Sequence, residues 1–398
     1  MTGVDASSFL VIVASAALAG IAVTSLEPRL ALSVVVLELI FGIVIGPDVL
    51  DVAQVDEFTN FFGNLGLGML FFFAGYEIDF PRIRGRPLWL AATGWLISLV
   101  LAYGLAAGLE VTGVVLSFLY TGSAMATTAI GTLIPVLRDA GELPTKFGTY
   151  LLAAGAMGEF GPILLITLVL SSAHPAHEAL ILLGFVALAV LVALITVRTA
   201  WRGWPVLERT LETSSQLAVR LAVVLVFGLV ALAGELGLDL LLGGFVAGLI
   251  TRSSLRGQEV ALFDSKLTAV GYGFLIPFFF ITSGMKFDLE ALITSTSALL
   301  KLPLLLALFL VVRGAPAVLL YRGVLEGRDR AALAFYSATE LPLVVAITTV
   351  ALELDKMRSS TAAALVGAAI LSTLVFPLVG RRLRRGRTAA ERAAPAAP

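Results

Sequence analysis

The feature that most constrains this chain is a succession of thirteen apolar runs covering almost its whole length, at approximately 8–26, 31–47, 58–78, 87–108, 113–136, 146–171, 178–199, 216–234, 238–251, 265–285, 297–320, 330–352 and 361–379. Most approach the roughly 20 residues that a helix needs to cross about 30 Å of hydrocarbon. In lipid such runs must be helices, because every backbone N–H and C=O has to be satisfied within the segment, and the alternating pattern of a membrane barrel is absent. Composition agrees: 59% of residues are hydrophobic and 14% charged, against about 45–50% and 25% in soluble domains. Twenty-seven basic and 28 acidic residues leave a formal charge of −1, which offers no basic face for nucleic acid. Without cysteine there is no disulfide, thiolate metal site or thiol nucleophile, and only His174 and His177 are available for imidazole chemistry. No nucleophile–base constellation and no cofactor motif stands out. The expectation is an all-α polytopic membrane protein, not an enzyme.

Loop charge tests the count. With the N-terminus outside, one side receives Arg82, Arg84, Arg86, Arg198, Arg202, Arg209, Arg252, Arg256, Arg322, Arg328, Arg330 and the Arg381–Arg387 cluster. The opposite side receives Asp48, Asp51, Asp56, Glu57, Glu110, Glu235 and Asp239, with Lys286, Lys356 and Arg358 as exceptions. This is the positive-inside pattern of a chain with an external N-terminus and a cytoplasmic C-terminus. No basic region precedes the first run, so it reads as a retained span. Residues 381–398, rich in Arg, Ala and Pro, read as a disordered cytoplasmic tail.

Function then lies inside the bilayer, where ionisable side chains are costly and mark ion pathways. Glu159 is near the middle of the sixth span, Arg313 is in the inner half of the eleventh, and Glu340 is near the middle of the twelfth. One arginine cannot neutralise two acids, so one carboxylate must be protonated, hydrated or bound to a cation. Gly155, Gly158 and Gly161 beside Glu159 would either admit another group to the acid or serve plain helix packing. Glu38 in the second span is a weaker candidate, Glu77 reads as interfacial, and Lys301 reads as able to snorkel outward. The fifth span (Thr121 to Thr132, then Pro135) and the twelfth (Ser337 to Pro342) carry hydroxyls, glycine and proline at mid-membrane. Such segments unwind and can coordinate a cation, and their opposite orientations suit an inverted repeat.

These residues resemble the monovalent cation/proton antiporter superfamily, closest to its second branch of bacterial sodium/proton antiporters and Kef-type potassium systems. The similar segments are LELIFGIVIGP at 37–47, LGLGMLFFFAGYEIDF at 65–80, IPFFFITSGMKFD at 276–288 and TELPLVVA at 339–346. The resemblance implies an inverted-repeat antiporter fold with two broken crossing helices inside residues 1–380. It divides them into scaffold spans (about 1–78 and 216–285), core spans (about 87–171 and 297–380) and a linker helix (about 178–199). It implies exchange of sodium or potassium for protons across a bacterial plasma membrane, by a homodimer with Gly244 and Gly248 on a small-residue face. Glu159 would bind a cation or a proton, never both. Thr127 and Thr128 would complete the cation shell, and Arg313 would neutralise Glu340 or the broken-helix ends. Where the family commonly carries a first acid in the sixth span, this chain has Gly158. That leaves one titrating carboxylate and implies electroneutral, one-for-one exchange. A gated channel, a sodium-coupled organic-anion symporter and a non-transporting sensor are the alternative readings.

Overall fold

The computed structural model describes residues 5–30, 34–78, 80–165, 183–185, 187–188, 191–192, 194–195, 213, 215–236, 240–254 and 260–385. Among these there are helices and no strand. In order they are α1 (Ala6–Leu30), α2 (Val34–Ile45), α3 (Glu57–Tyr76), the short α4 (Phe80–Ile83), α5 (Arg86–Val111), α6 (Phe118–Met125), α7 (Ile130–Asp139) and α8 (Lys146–Leu165). There follow α9 (Leu217–Glu235), α10 (Leu240–Ser254), α11 (Val260–Val270), α12 (Ile276–Met285), α13 (Leu289–Thr294), α14 (Thr296–Leu320), α15 (Gly327–Ser337), α16 (Pro342–Glu353) and α17 (Ser359–Arg384). Twelve of the thirteen apolar runs coincide with described helices; the seventh, 178–199, with His174 and His177 just before it, lies largely outside the described residues.

Helix ends follow local chemistry. Asp56 caps α3 through the Thr59 N–H, while the Thr59 hydroxyl caps back, a reciprocal capping box. Ser295 caps α14. Pro342 opens α16 at a position whose N–H would have no helical partner anyway.

The first group of helices, α1–α3 with α9–α12, packs backbone against backbone. A Cβ on Gly42 would lie 2.1 Å from the Ile281 carbonyl oxygen, and one on Gly66 would lie 2.1 Å from that of Leu275. Gly75 meets the Phe245 carbonyl oxygen at the same distance. Gly244 and Gly248 do not form a free face: a Cβ on either would lie 2.5 or 2.0 Å from the carbonyl oxygens of Gly68 and Phe72 in α3. The expected dimer face is therefore consumed inside the chain. The tenth span also differs from expectation. It begins at Val260, five residues early, and widens into a π-turn at Gly271–Leu275, a feature often found at functional sites.

The second group comprises α5–α8 and α14–α17. The fifth span is interrupted at 126–129 between α6 and α7, and the twelfth at 338–341 between α15 and α16. At one end of this group Arg384, 1% exposed, pins three segments together. Its guanidinium donates to Glu142 at 3.1 and 2.8 Å, pairs with Asp329 at 2.9 Å and stacks 4.3 Å above the Phe147 ring. The last helix therefore runs through Arg384, past the expected start of the tail at 381, because a buried ion pair holds it. Residues 386–398 lie outside the described residues. Across the boundary between the groups, Arg138 at the end of α7 forms an ion pair with Glu77 at the end of α3, which places Glu77 in a specific contact.

Candidate ion-exchange site

The two interrupted helices meet at their breaks. The Ala129 N–H donates to the Thr339 carbonyl at 2.8 Å, and the Thr128 hydroxyl donates to the Ser337 carbonyl at 2.5 Å. Freed backbone groups of one break thus satisfy those of the other, which is how irregular backbone persists in a protein interior. Side chains complete the accounting: Trp95 Nε1 donates to the Ala126 carbonyl, and Ser372 and Thr373 of α17 donate to the Glu340 carbonyl.

Glu159 comes to this crossing from α8. Its Oε1 lies 3.5 Å from the N–H of Gly131, in the first turn of α7. The carboxylate therefore faces the positive end of a half-helix. Its Oε2 is buried and, among the described residues, has no hydrogen-bond partner. The residue is 1% exposed. Tyr272, from the π-turn, donates a long 3.4 Å bond to the carbonyl of the same Gly131.

The three glycines around Glu159 each admit a particular visitor. A Cβ on Gly155 would strike the Ile130 side chain at 2.5 Å, and one on Gly161 the Trp95 ring at 2.4 Å. At Gly158 it would meet Arg313 Nη2 at 2.5 Å and Thr128 Oγ1 at 2.6 Å. Arg313 thus occupies the room that a side chain at 158 would need.

Arg313 is buried, and its hydrogen bonds run to hydroxyls and a carbonyl. Nε and Nη2 donate to Thr128 Oγ1 at 2.9 and 2.8 Å, Nη1 donates to Ser98 Oγ at 3.2 Å, and Nη2 also reaches the Ala154 carbonyl at 3.4 Å. The expected direct pair with Glu340 does not form. Glu340 is fully buried, and among the described residues neither of its carboxylate oxygens makes a hydrogen bond of good geometry, the Thr127 side chain lying nearby. Glu340 lies close enough to feel the charge of Arg313. The alternative expectation, that Arg313 serves the broken-helix ends, fits the geometry better, because through Thr128 it reaches the carbonyl of Ser337.

The two threonines therefore separate. Thr128 Oγ1 accepts two N–H groups and gives its proton to Ser337, so both lone pairs are engaged and none remains for a cation. Thr127 gives its proton to the Ala124 carbonyl at 3.0 Å and keeps acceptor capacity beside the Glu340 carboxylate. Glu38 is buried in α2, in the other helix group, and no hydrogen bond or ion pair joins it to these residues. Sequence reasoning overlooked Ser98, Trp95, Ser372 and Thr373. Ser98 and Trp95 are single polar groups in an apolar run, and Ser372 and Thr373 are one adjacent pair, signals shared by many helices that have no site.

A buried carboxylate oxygen left open beside the crossing of two broken helices suits a hard monovalent cation or a proton. The model of the transmembrane sodium/hydrogen exchanger family matches residues 13–383. YjbQ of Bacillus subtilis is 26% identical over 374 residues, covering 89% of this chain and 59% of that protein. GerN of Bacillus cereus, a Na(+)/H(+)-K(+) antiporter, is 27% identical over 276 residues, 67% of this chain and 68% of GerN. The chain thus matches about three fifths to two thirds of the length of these relatives. The structure of the sodium proton antiporter MjNhaP1 from Methanocaldococcus jannaschii superposes with a TM-score of 0.63 at 16% identity, over 96% of this chain and 98% of MjNhaP1, which establishes the shared fold. With a family match spanning nearly every helix, this chain belongs to the sodium/hydrogen exchanger family.

Proposed function

We propose that the chain exchanges a monovalent cation, sodium or potassium, for protons across a bacterial plasma membrane. The observation that carries this reading is the Glu159 carboxylate, which has one unpartnered oxygen, is 1% exposed and sits where the two broken helices cross. A carboxylate closed off to this degree gains ions only by movement, which favours alternating access over a standing channel. Proton and cation compete for the same oxygen, and that competition couples the two fluxes. Thr127 and nearby carbonyls supply further cation ligands, while Arg313 and Thr128 hold the crossing in shape. The chain's similarity to GerN, a Na(+)/H(+)-K(+) antiporter, supports potassium beside sodium.

In this reading α5–α8 and α14–α17 form a moving core and the remaining helices a scaffold, with the N-terminus outside. The scaffold also forms a homodimer, through faces other than Gly244 and Gly248. Exchange is one for one in this reading, with Glu159 as the group that changes charge and Glu340 holding a fixed charge through the cycle in the field of Arg313. Purified Glu159→Gln protein in proteoliposomes should lose sodium- and potassium-driven dissipation of a pH gradient while inserting normally. Near-parental exchange by that variant would sink the assignment. Parental transport should also ignore a clamped membrane potential, and a rate that follows the imposed voltage would assign a second carrier, with Glu340 the first residue to test.

A further inference from the structure

At the end of the bundle that carries the N-terminus, α14 and the adjoining ends of α5 and α17 border an open cavity of about 420 Å³ lined by Thr112, Ser297, Leu300, Lys301, Leu304 and Arg358. Lys301 does not snorkel out of it. The side chain is 6% exposed, and Nζ donates to the Thr361 hydroxyl at 2.9 Å. Arg358 spends one N–H on the Gly113 carbonyl at 3.0 Å. Among the described residues neither cation has a carboxylate within 4.0 Å, and the charge whose field reaches Lys301 is that of Arg358. A buried ammonium beside a second cation, with no acid, is an uncompensated arrangement. The N-termini of α14 and α17, helices of 25 and 26 residues, begin at the same place and add further positive potential. The positive charge gathered at this cavity suits an anionic group.

Its walls say which kind. Leu300 and Leu304, one turn apart on α14, are 70% and 41% exposed, and they continue the cavity down the hydrocarbon-facing side of the helix. A free inorganic ion would leave these leucines unused, whereas a lipid places its phosphate on the cations and its acyl chain along the leucines. We propose that this cavity holds the headgroup of an anionic glycerophospholipid, in the outer leaflet for the orientation given above. Its phosphate accepts from Lys301, Arg358 and the Ser297 hydroxyl. The site also accounts for Arg358 as an exception to the loop-charge pattern. Lys301 shares α14 with Arg313, whose guanidinium bonds Thr128 at the crossing.

The test is native mass spectrometry and thermal melting of detergent-purified protein with added dioleoylphosphatidylglycerol, dioleoylphosphatidylcholine or inorganic phosphate. The parent should retain phosphatidylglycerol in preference to phosphatidylcholine and melt higher with it. Arg358→Gln alters an exposed side chain and should weaken retention about fivefold, the worth of one cation near a membrane surface. Lys301→Met should weaken it further. Unchanged phosphatidylglycerol retention in both variants would overturn the proposal, as would equal retention of phosphatidylcholine. Stabilisation by inorganic phosphate equal to that by phosphatidylglycerol would also overturn it, in favour of a soluble anion.

Discussion

Replacing Gly158 with alanine should damage this protein, although the same change in an ordinary helix helps. In an open helix position glycine to alanine gains about 1 kcal/mol from propensity. At 158 the new methyl would sit 2.5 Å from Arg313 Nη2 and 2.6 and 2.7 Å from Thr128 Oγ1 and Cβ, and none of these can retreat freely. Overpacking costs about 1–3 kcal/mol. If the guanidinium is expelled, its two bonds to Thr128 are lost as well, at about 1.5–3 kcal/mol each. After subtracting the propensity gain, a net destabilisation of roughly 0–2 kcal/mol is expected if the guanidinium stays and roughly 2–5 kcal/mol if it is expelled. Gly104 in α5 is the control, since a Cβ there meets nothing within 4 Å. Gly104→Ala should melt at or above the parent and Gly158→Ala well below it, followed by tryptophan fluorescence in detergent. Part of the Gly158→Ala penalty should disappear in an Arg313→Ala background, a coupling of at least about 0.5 kcal/mol, because the nearest obstructing atom is then gone. A Gly158→Ala protein that melts with the parent and exchanges normally would refute the steric account of Arg313.

The remaining expectations concern other residues. Thr128→Val should lower the melting temperature by stranding two buried N–H groups of Arg313, while Thr127→Val should leave melting nearly unchanged and weaken apparent cation affinity in a transport titration. Arg384→Gln leaves Glu142 and Asp329 without their shared cation and should cost about 3–5 kcal/mol, read by denaturation in detergent, with Arg384→Lys intermediate. The Asp5 carboxyl, just before α1, is held down to about 2 by hydrogen bonds from Ser7 and Ser8, from an ordinary value of 3.8. A depressed carboxyl contributes above its ordinary value and loses that contribution as pH falls through the folded one. Protection factors at the α1 entrance, normalised for the intrinsic pH dependence of amide exchange, should therefore be steady above about pH 4 and fall between about pH 4 and 2, and Asp5→Asn should abolish that fall.

The fold was largely legible because lipid permits so few solutions. Apolar runs of spanning length had to be helices, and the hydroxyl, glycine and proline residues at 121–135 and 337–342 marked both breaks. Glu159 was legible because a carboxylate in mid-span has few reasons to exist. The partner of Arg313 was not legible. Charge counting favoured Glu340, but the guanidinium goes where Gly158 leaves room, and that depends on how α8 sits against α14, which one chain's pattern does not encode. Gly244 and Gly248 misled for a related reason: spacing alone shows that a helix has a notch, not which neighbour fills it. The π-turn at 271–275 was invisible because its sequence has the same apolar character as an α-helical turn.

The glycine notches also decide where this molecule can slip. Where Gly42, Gly66, Gly75, Gly244 and Gly248 seat a neighbouring backbone, sliding one helix by a single residue would drive a side chain into a carbonyl. Those seams behave like meshed teeth and resist shear. The boundary between the two helix groups is crossed instead by contacts that can let go and re-form, such as the partly exposed Glu77–Arg138 pair and the long Tyr272–Gly131 bond. Displacement should concentrate on that one slip plane, with the blocks on either side travelling undeformed.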